Sequence, residues 1–526
     1  MGITDAEINS GHAHNETHSI DRFFAQTKIF ITGATGFLGK ALLEKLLRSC
    51  PRVTTIFVLI RPKRNQSIEE RFRKLLENPI FDRIRSECPD VLNKIFPVKG
   101  DLGMPELGLQ PEDKEMLIQR VNIVFHIAAT VRFNEPLKIA VNLNTRGTDR
   151  MLDLCRHMTK LISVIYVSTA YSNADQQEIK ESIYTTEIKP YTVIDMCENL
   201  DDETIKIIEK RLIGNHPNTY TLTKSLAEQI VLSKGSDLPI AIVRPSIICA
   251  AYQEPFPGWV DNVSGVTVMM TEISRGTIRS LMCNPNLVAD IIPLDFVVNT
   301  LICASWHNAV QRSDTIKIYN CTSSSLHPIT WREFEYLIKK YAIKSPSKYV
   351  MWYPNCTFRT NKFIHTIIVV MLHFLPAFIL DLILRVQGCK PIMMKMTKRF
   401  NCTAKSGEYF TMNEWKFYID NMTKLIKFVR ASGDCNDFNV DIRSLDWDAY
   451  FHQYMLGIRK YILKDNPDTL NNARNRLSRL YWIHKLTKIF VLLVMIRCVS
   501  WCYTKLYKNF WITILGTVQT SWKRIF

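Results

Sequence analysis

The chain has 526 residues, 47% of them apolar, with 67 Lys and Arg against 50 Asp and Glu for a net charge of +17; that is enough for more than one domain and a sizeable core. Its fourteen cysteines form no CxxC pair and no His/Cys cluster, which argues against a metal centre or a disulfide framework and for a reducing compartment. Residues 331–526 carry 31 Lys and Arg against 13 Asp and Glu (+18), leaving 36 against 37 (−1) for the rest, and basic residues interleaved with long apolar runs suit an anionic membrane surface better than nucleic acid.

The first twenty residues are polar and lack the apolar stretch of a secretory signal. Gly2 opens a possible myristoylation frame, but Ala6 fills the position that wants Ser or Thr, and residues 1–25 are expected to be a disordered lead-in. Ile29 to Ile31 is a short buried strand. It breaks at Thr32-Gly33-Ala34-Thr35-Gly36-Phe37-Leu38-Gly39 and re-emerges as a helix over Lys40 to Leu47, with Leu42, Leu43, Leu46 and Leu47 on its apolar face. A glycine-rich turn so placed marks a dinucleotide site. Gly33 allows the tight turn, Gly36 lets the backbone approach a pyrophosphate, and Gly39 lets helix and strand pack closely; the phosphates then rest on the helix N-terminus. Thr32, Thr35, Phe37 and Leu38 belong to the same cradle.

The next strand, Thr55 to Ile60, ends at Arg61, followed by Lys63 and Arg64, with no carboxylate until Glu69. A site for NADH puts an Asp or Glu there for the ribose hydroxyls. A guanidinium suits a 2′-phosphate, so NADPH and reductive chemistry are expected; the less favoured alternative is that Arg61 begins a solvated basic loop. A third strand near 95–99 runs into Gly100-Asp101-Leu102, where Asp101 can accept from the adenine amino group, with Leu102 beside it. A fourth, near 122–126, ends at His126-Ile127-Ala128-Ala129-Thr130. Small residues there, Ala128 among them, let the backbone lie against the cofactor, and His126 is read as structural.

A fifth strand near 163–168 ends in Val167-Ser168-Thr169-Ala170-Tyr171. A hydroxyl at a strand C-terminus points into the crevice where open sheets bind ligands and can polarise a substrate carbonyl; Thr169 is the first choice, Ser168 the second. Further on, Tyr220-Thr221-Leu222-Thr223-Lys224 opens a helix with Leu222, Leu226 and Ile230 on its apolar face, so Tyr220 and Lys224 share one side. A phenol with a pKa of about 10 exchanges protons poorly near neutrality until an ammonium stabilises its phenolate. Lys224 can do so while holding the nicotinamide ribose. A sixth strand, near 240–244, leads to Pro245, also placed in the cofactor site. Strands alternating with helices such as Leu143 to Met158 and Tyr220 to Ser233 predict an α/β fold, a doubly wound parallel-sheet Rossmann domain over 26–300.

From about 255 to 350 the pattern is irregular: a substrate-covering segment toward the end of the Rossmann domain, then a connecting region over 301–355. Residues 356–526 are expected to be a mainly helical, membrane-associated C-terminal domain. Its apolar stretch Thr366 to Val386 is long enough to span a bilayer of roughly 20 residues. A second runs from Ile489 to about Tyr503, with Arg497 inside it, and resumes over Phe510 to Val518; Arg497 is costly at mid-bilayer. Either stretch could instead be a buried or interfacial helix. Sequons at Asn320, Asn355, Asn401 and Asn421 carry little weight.

These motifs resemble those of extended short-chain dehydrogenase/reductases and, more closely, the eukaryotic fatty acyl-CoA reductases of insect type. The resemblance rests on the glycine turn, the run from His126 to Phe133, the run from Val167 to Tyr171, Asn218-Thr219-Tyr220 with Lys224, and Val243-Arg244-Pro245-Ser246. Glu254-Pro255-Phe256-Pro257-Gly258-Trp259-Val260-Asp261-Asn262 is the most family-specific block. The match spans nearly the whole chain, with Asn134 where the family usually has Asp. It implies a long-chain acyl-CoA substrate, two NADPH and a primary fatty alcohol. Tyr220 and Thr169 would hold a hemithioacetal oxyanion, CoA would leave, and Tyr220 would act as acid when the aldehyde is reduced. Rivals are an aldehyde-forming acyl-CoA reductase, a hydroxysteroid dehydrogenase, a sugar-nucleotide epimerase, or a non-catalytic membrane-attached NADPH-binding scaffold. An intracellular membrane is expected, the endoplasmic reticulum rather than the peroxisome, because Arg524-Ile525-Phe526 is not a Ser-Lys-Leu-like address.

Overall fold

The computed structural model describes residues 19–63, 65–185 and 188–522. Seven strands form one sheet: β1 Lys28–Thr32, β2 Thr55–Ile60, β3 Ile95–Lys99, β4 Ile123–His126, β5 Ser163–Val167, β6 Ile240–Pro245 and β7 Lys317–Cys321, in the order β7-β6-β5-β4-β1-β2-β3. All neighbours are parallel, and the order reverses between β1 and β4, the switch point beyond which open sheets bind ligands. The inner strands are near-continuous apolar runs because both faces are covered, whereas the edge strand β3 leaves Phe96, Pro97 and Lys99 exposed. Ile29 and Ile31 enter the core on one face, and Phe30 enters the core on the other.

The helices that bear on the site are α1 Phe37–Ser49, α2 Ile68–Leu76, α3 Gly147–His157, α4 Thr219–Lys234, α5 Leu294–Val310, α6 Lys362–Val386, α7 Met393–Met412 and α8 Leu470–Trp522. α1 and α5 cover one face of the sheet, α3 and α4 the other. α5 is apolar on nearly every side, the mark of a fully buried helix. Together with β7 it carries the sheet past residue 300, into the stretch expected to be a connector. β7 is five residues long and lies between polar turns, so no periodicity announces it.

Residues 1–18, with the Gly2 frame, and Arg524-Ile525-Phe526 lie outside the described residues. The last part of the expected lead-in is ordered: Ile20–Phe24 is a short helix with Ile20 and Phe24 buried in the core. The second apolar stretch, expected in two pieces, lies on the continuous helix α8. Both α6 and α8 are long and apolar enough to cross a membrane by length and composition. The C-terminal helix Trp447–Gly457 packs directly on the body. A Cβ on Gly457 would sit 1.7 Å from the Gly258 carbonyl oxygen, so only glycines permit this crossing.

Candidate active site

The glycine turn leaves β1 and enters α1. Gly33 has φ +79° and presses on β4, where an added Cβ would lie 2.8 Å from the Ala128 nitrogen. A Cβ on Gly39 would fall 2.2 Å from the Gly33 carbonyl oxygen, so helix and turn touch backbone to backbone. Gly36, at the N-cap of α1, is exposed to the crevice, and the N-terminal N–H groups of the helix stay uncovered by side chains. This is a cradle shaped for a phosphate.

Neighbouring residues divide into those that face the crevice and those that support it. The Thr32 hydroxyl accepts from the N–H groups of Ile127 and Ala128 at 3.1 and 3.2 Å and meets His126 Nδ1 at 2.8 Å. It joins the ends of β1 and β4 and is not free for a ligand. Leu38 turns into the core. His126 is buried, with Nε2 3.1 Å from the Thr148 hydroxyl, and burial, with a smaller push from Lys224, lowers it to about 3; it stays neutral. Phe37 stacks on Trp259 at 5.3 Å. The Glu254–Asn262 block therefore braces the cofactor helix: Glu254 pairs with Arg48 at 3.0 Å and Asp261 pairs with Lys40.

At the end of β2, Arg61 is exposed. Arg71, on α2, reaches back to donate to the Arg61 carbonyl and lies 3.4 Å from the Thr35 hydroxyl. Burial and the nearby Arg61 lower the Arg71 guanidinium. Neither arginine has a carboxylate partner among the described residues. Asp101 accepts from the Gly103 N–H at 3.0 Å in the turn after β3. Leu102 is buried beside it, its carbonyl taken by Arg150 at 2.8 Å.

The remaining residues converge beyond β5 and β6. Asn218 caps α4 by accepting from the Thr221 N–H at 2.9 Å, which sets Tyr220 in the first turn and Lys224 one turn on. The Tyr220 phenol is pushed up to about 12 by burial, with the Thr169 hydroxyl pulling the other way. Thr169 also lies 3.5 Å from the Pro245 carbonyl. The Ser168 hydroxyl is buried beside the Tyr166 hydroxyl. The Lys224 ammonium donates to the Val167 carbonyl at 2.7 Å, with the Tyr166 hydroxyl at 3.5 Å. Burial pushes it down to about 7, against an upward pull from Glu228. Its hydrogen bonds thus go to β5, and Tyr220 is a neutral phenol.

Sequence reasoning passed over several residues here. Glu228, one turn beyond Lys224, forms a buried two-point pair with Arg244 of β6 at 2.8 and 2.6 Å; an arginine inside an apolar strand was the available signal, since a buried guanidinium needs a partner. Asn144, in a π-helical turn, bonds both backbone groups of Thr130 and the Thr223 hydroxyl, locking the loop after β4 to α4. An aromatic wall stands next to Tyr220: Phe133 at 6.1 Å, Phe410 of α7 at 5.2 Å from Phe133, and Tyr171 at 5.0 Å from Phe410. Nothing in the sequence pairs residues so far apart.

The NAD-binding part of the family described as "Male sterility protein" matches residues 31–301, and a second part under the same description matches 372–465. Fatty acyl-CoA reductase 1 of Mus musculus is 40% identical over 462 residues, covering 88% of this chain and 90% of its own. Fatty acyl-CoA reductase 2 of Mus musculus is 38% identical over 497 residues, covering 94% and 96%. Among solved structures, the reductase domain of a nonribosomal peptide synthetase from Mycobacterium tuberculosis matches with a TM-score of 0.56 at 18% identity, covering 85% of this chain and 98% of that one. The terminal R domain of the myxalamid pathway matches with a TM-score of 0.54 at 17% identity, covering 83% and 91%. The structural matches speak for the fold alone.

Proposed function

The chain belongs to the fatty acyl-CoA reductase family, and from that premise we propose that it reduces the thioester of a long-chain acyl-CoA to a primary alcohol with NADPH, releasing CoA. One observation carries the proposal. The Tyr220 phenol lies beside the Thr169 hydroxyl past the C-terminal end of β5, with Lys224 buried one helical turn on and bonded to β5 and an aromatic wall alongside.

The chain's residues fit a nicotinamide dinucleotide. Gly33, Gly36 and Gly39 leave room for a pyrophosphate at the N-terminus of α1, and Asp101 would accept from the adenine amino group. Arg61 and Arg71, two guanidiniums without a carboxylate partner among the described residues, support NADPH over NADH, because a 2′-phosphate is the anion they lack. When bound, the nicotinamide supplies hydride to the carbonyl carbon, once at the thioester and once at the aldehyde.

The protein's part is to hold charge and move protons. Thr169 and Tyr220 donate hydrogen bonds to the thioester oxygen and hold it as it becomes an oxyanion. As the oxyanion collapses, the C–S bond breaks and its electron pair leaves with the CoA sulfur. Tyr220 then gives its proton to the oxygen of the reduced aldehyde. A phenol at about 12 stays protonated at neutral pH, yet is acidic enough to protonate an alkoxide. Lys224 supplies the positive charge that the resulting phenolate requires. In sum, two NADPH and two protons are consumed for each CoA thiol and alcohol formed. Phe133, Phe410 and Tyr171 give the acyl chain its first apolar contacts, and α6 and α8 hold the enzyme at an intracellular membrane, the endoplasmic reticulum, where acyl chains partition.

The substitution Tyr220→Phe tests this. We expect CoA release to fall about 10²- to 10⁴-fold while NADPH binding, followed by fluorescence, is retained. Undiminished turnover would remove Tyr220 from the chemistry.

A further inference from the structure

α6 and α7 form an antiparallel hairpin whose outer faces differ in chemistry. The inner stripe of α6 recurs every four residues, His365, Val369, His373, Ala377 and Asp381, and meets protein. His365 Nδ1 lies 2.8 Å from Ser280 Oγ, and His373 Nε2 accepts from the Arg279 N–H at 2.9 Å. Asp381 accepts from the N–H groups of Met393 and Met394 at 2.8 and 2.9 Å, capping α7. The rest of α6 is apolar and exposed, from Phe363 through Met371 and Phe378 to Val386. α7 instead exposes Lys395, Lys398, Arg399 and Lys405 along one stripe, and none of the four has a carboxylate partner among the described residues.

We propose that this hairpin lies along one leaflet of a membrane and does not cross it, with α6 sunk to the acyl boundary and the basic stripe of α7 on anionic phospholipid headgroups. Both ends of the hairpin are fastened to the same part of the body. Thr411 donates to the Met282 carbonyl at 2.8 Å, two residues from Ser280, where His365 binds. If α6 crossed, the turn at 387–392 would reach the far side and α7 would have to return through the acyl core. Over its 20 residues, about 30 Å, that path carries Lys405 toward mid-bilayer and Lys398 and Arg399 below the far headgroups, where unpaired cations are costly. Lying in the plane, the same four cations meet headgroup phosphates and carboxylates while the apolar face of α6 is buried. α8 leaves from the same face of the body. The Arg279 guanidinium lies 4.8 Å from the centre of the Trp352 ring, and the Trp352 indole donates to His484 of α8 at 3.0 Å. That leaves α8 as the candidate span.

A protease site inserted between Gly388 and Cys389 of the full chain, in sealed microsomes, reads the topology, with retained reductase activity as the sign of a folded protein. We expect protease added outside to cut the site in intact vesicles, on the side of the catalytic domain. Protection until detergent is added overturns the proposal. Should the insertion misfold, Cys389 of the unaltered chain is exposed at the turn and takes a membrane-impermeant maleimide, mapped by peptide mass, with the same two outcomes. The headgroup contact is read from the cutting rate in vesicles of phosphatidylcholine with or without phosphatidylserine. Phosphatidylserine should slow cutting about tenfold, and reversing Lys395, Lys398, Arg399 and Lys405 to Glu should remove the difference. Equal rates refute the contact. Slowing that follows protein concentration instead of lipid charge assigns the face to a second copy of the chain, and also refutes it.

Discussion

Replacing Lys224 with Met should leave the protein inactive but more stable. Lys224 is 3% exposed, its shortest hydrogen bond goes to the Val167 carbonyl at 2.7 Å, and burial lowers it from 10.5 to about 7. A fall of that size corresponds to about 5 kcal/mol of lost folding stability at neutral and lower pH, at about 1.4 kcal/mol per pH unit. Lys224→Met keeps most of the side-chain volume and removes the charge. It also strips the Val167 carbonyl of its donor, which costs about 1–3 kcal/mol, so the net gain is about 2–4 kcal/mol near pH 6.5. The pH course follows from which state holds the proton. Below about 7 both states carry it and the penalty is complete. Between there and 10.5 the unfolded chain keeps the proton and the folded chain has lost it, so wild-type stability rises with pH. By about pH 9 the penalty has fallen to about 2 kcal/mol and the variant's advantage is near zero. Denaturant unfolding of both proteins in one detergent, at about pH 6.5 and about pH 9, reads the two differences. A variant less stable than wild type at the lower pH, or a gain equal at both, would refute burial as the cause of the depressed lysine.

Removing either guanidinium at the adenosine end, in Arg61→Ala or Arg71→Ala, should lower the preference for NADPH over NADH about tenfold or more, the value of one charge-assisted hydrogen bond. Steady-state kinetics with each cofactor check this, and an unchanged ratio takes that residue away from the 2′-phosphate. Thr169→Val, nearly isosteric, should cut kcat about 10²- to 10³-fold through the lost oxyanion donor while KM for NADPH stays put; a rise in KM alone would make Thr169 a binding residue. Phe410→Ala should raise KM several-fold for long-chain acyl-CoA and little for short-chain, and equal effects on both would separate the aromatic wall from the acyl chain.

Much of the geometry around the glycine turn was legible in the chain because its requirements are local. A glycine that must take φ +79° and another that must let backbone touch backbone sit within seven residues of each other, and six of the seven strands are apolar runs bounded by turns. Tyr220 and Lys224 were legible for the same reason, being one helical turn apart. Contacts between distant segments were not. Arg71 is one of several basic residues on α2, and only the fold brings it over Arg61 and Thr35. Thr32 reads as part of the cradle, yet the proximity of β1 to β4 turns its hydroxyl inward. The Glu254–Asn262 block could be recognised but not interpreted until Trp259 was seen stacked on Phe37 and Gly258 crossed with Gly457. Nor does the apolar stretch at 366–386 reveal that α7 folds back along it with its cations outward.

Product and stoichiometry, measured together, test the central claim most directly. Membranes containing the protein would be supplied with long-chain acyl-CoA and NADPH, with CoA thiol, NADPH oxidation and the lipid product followed in one reaction. We expect primary alcohol and two NADPH oxidised per CoA released. Aldehyde accumulating at one NADPH per CoA would contradict the second reduction, and no CoA release at all would contradict the acyl thioester as substrate.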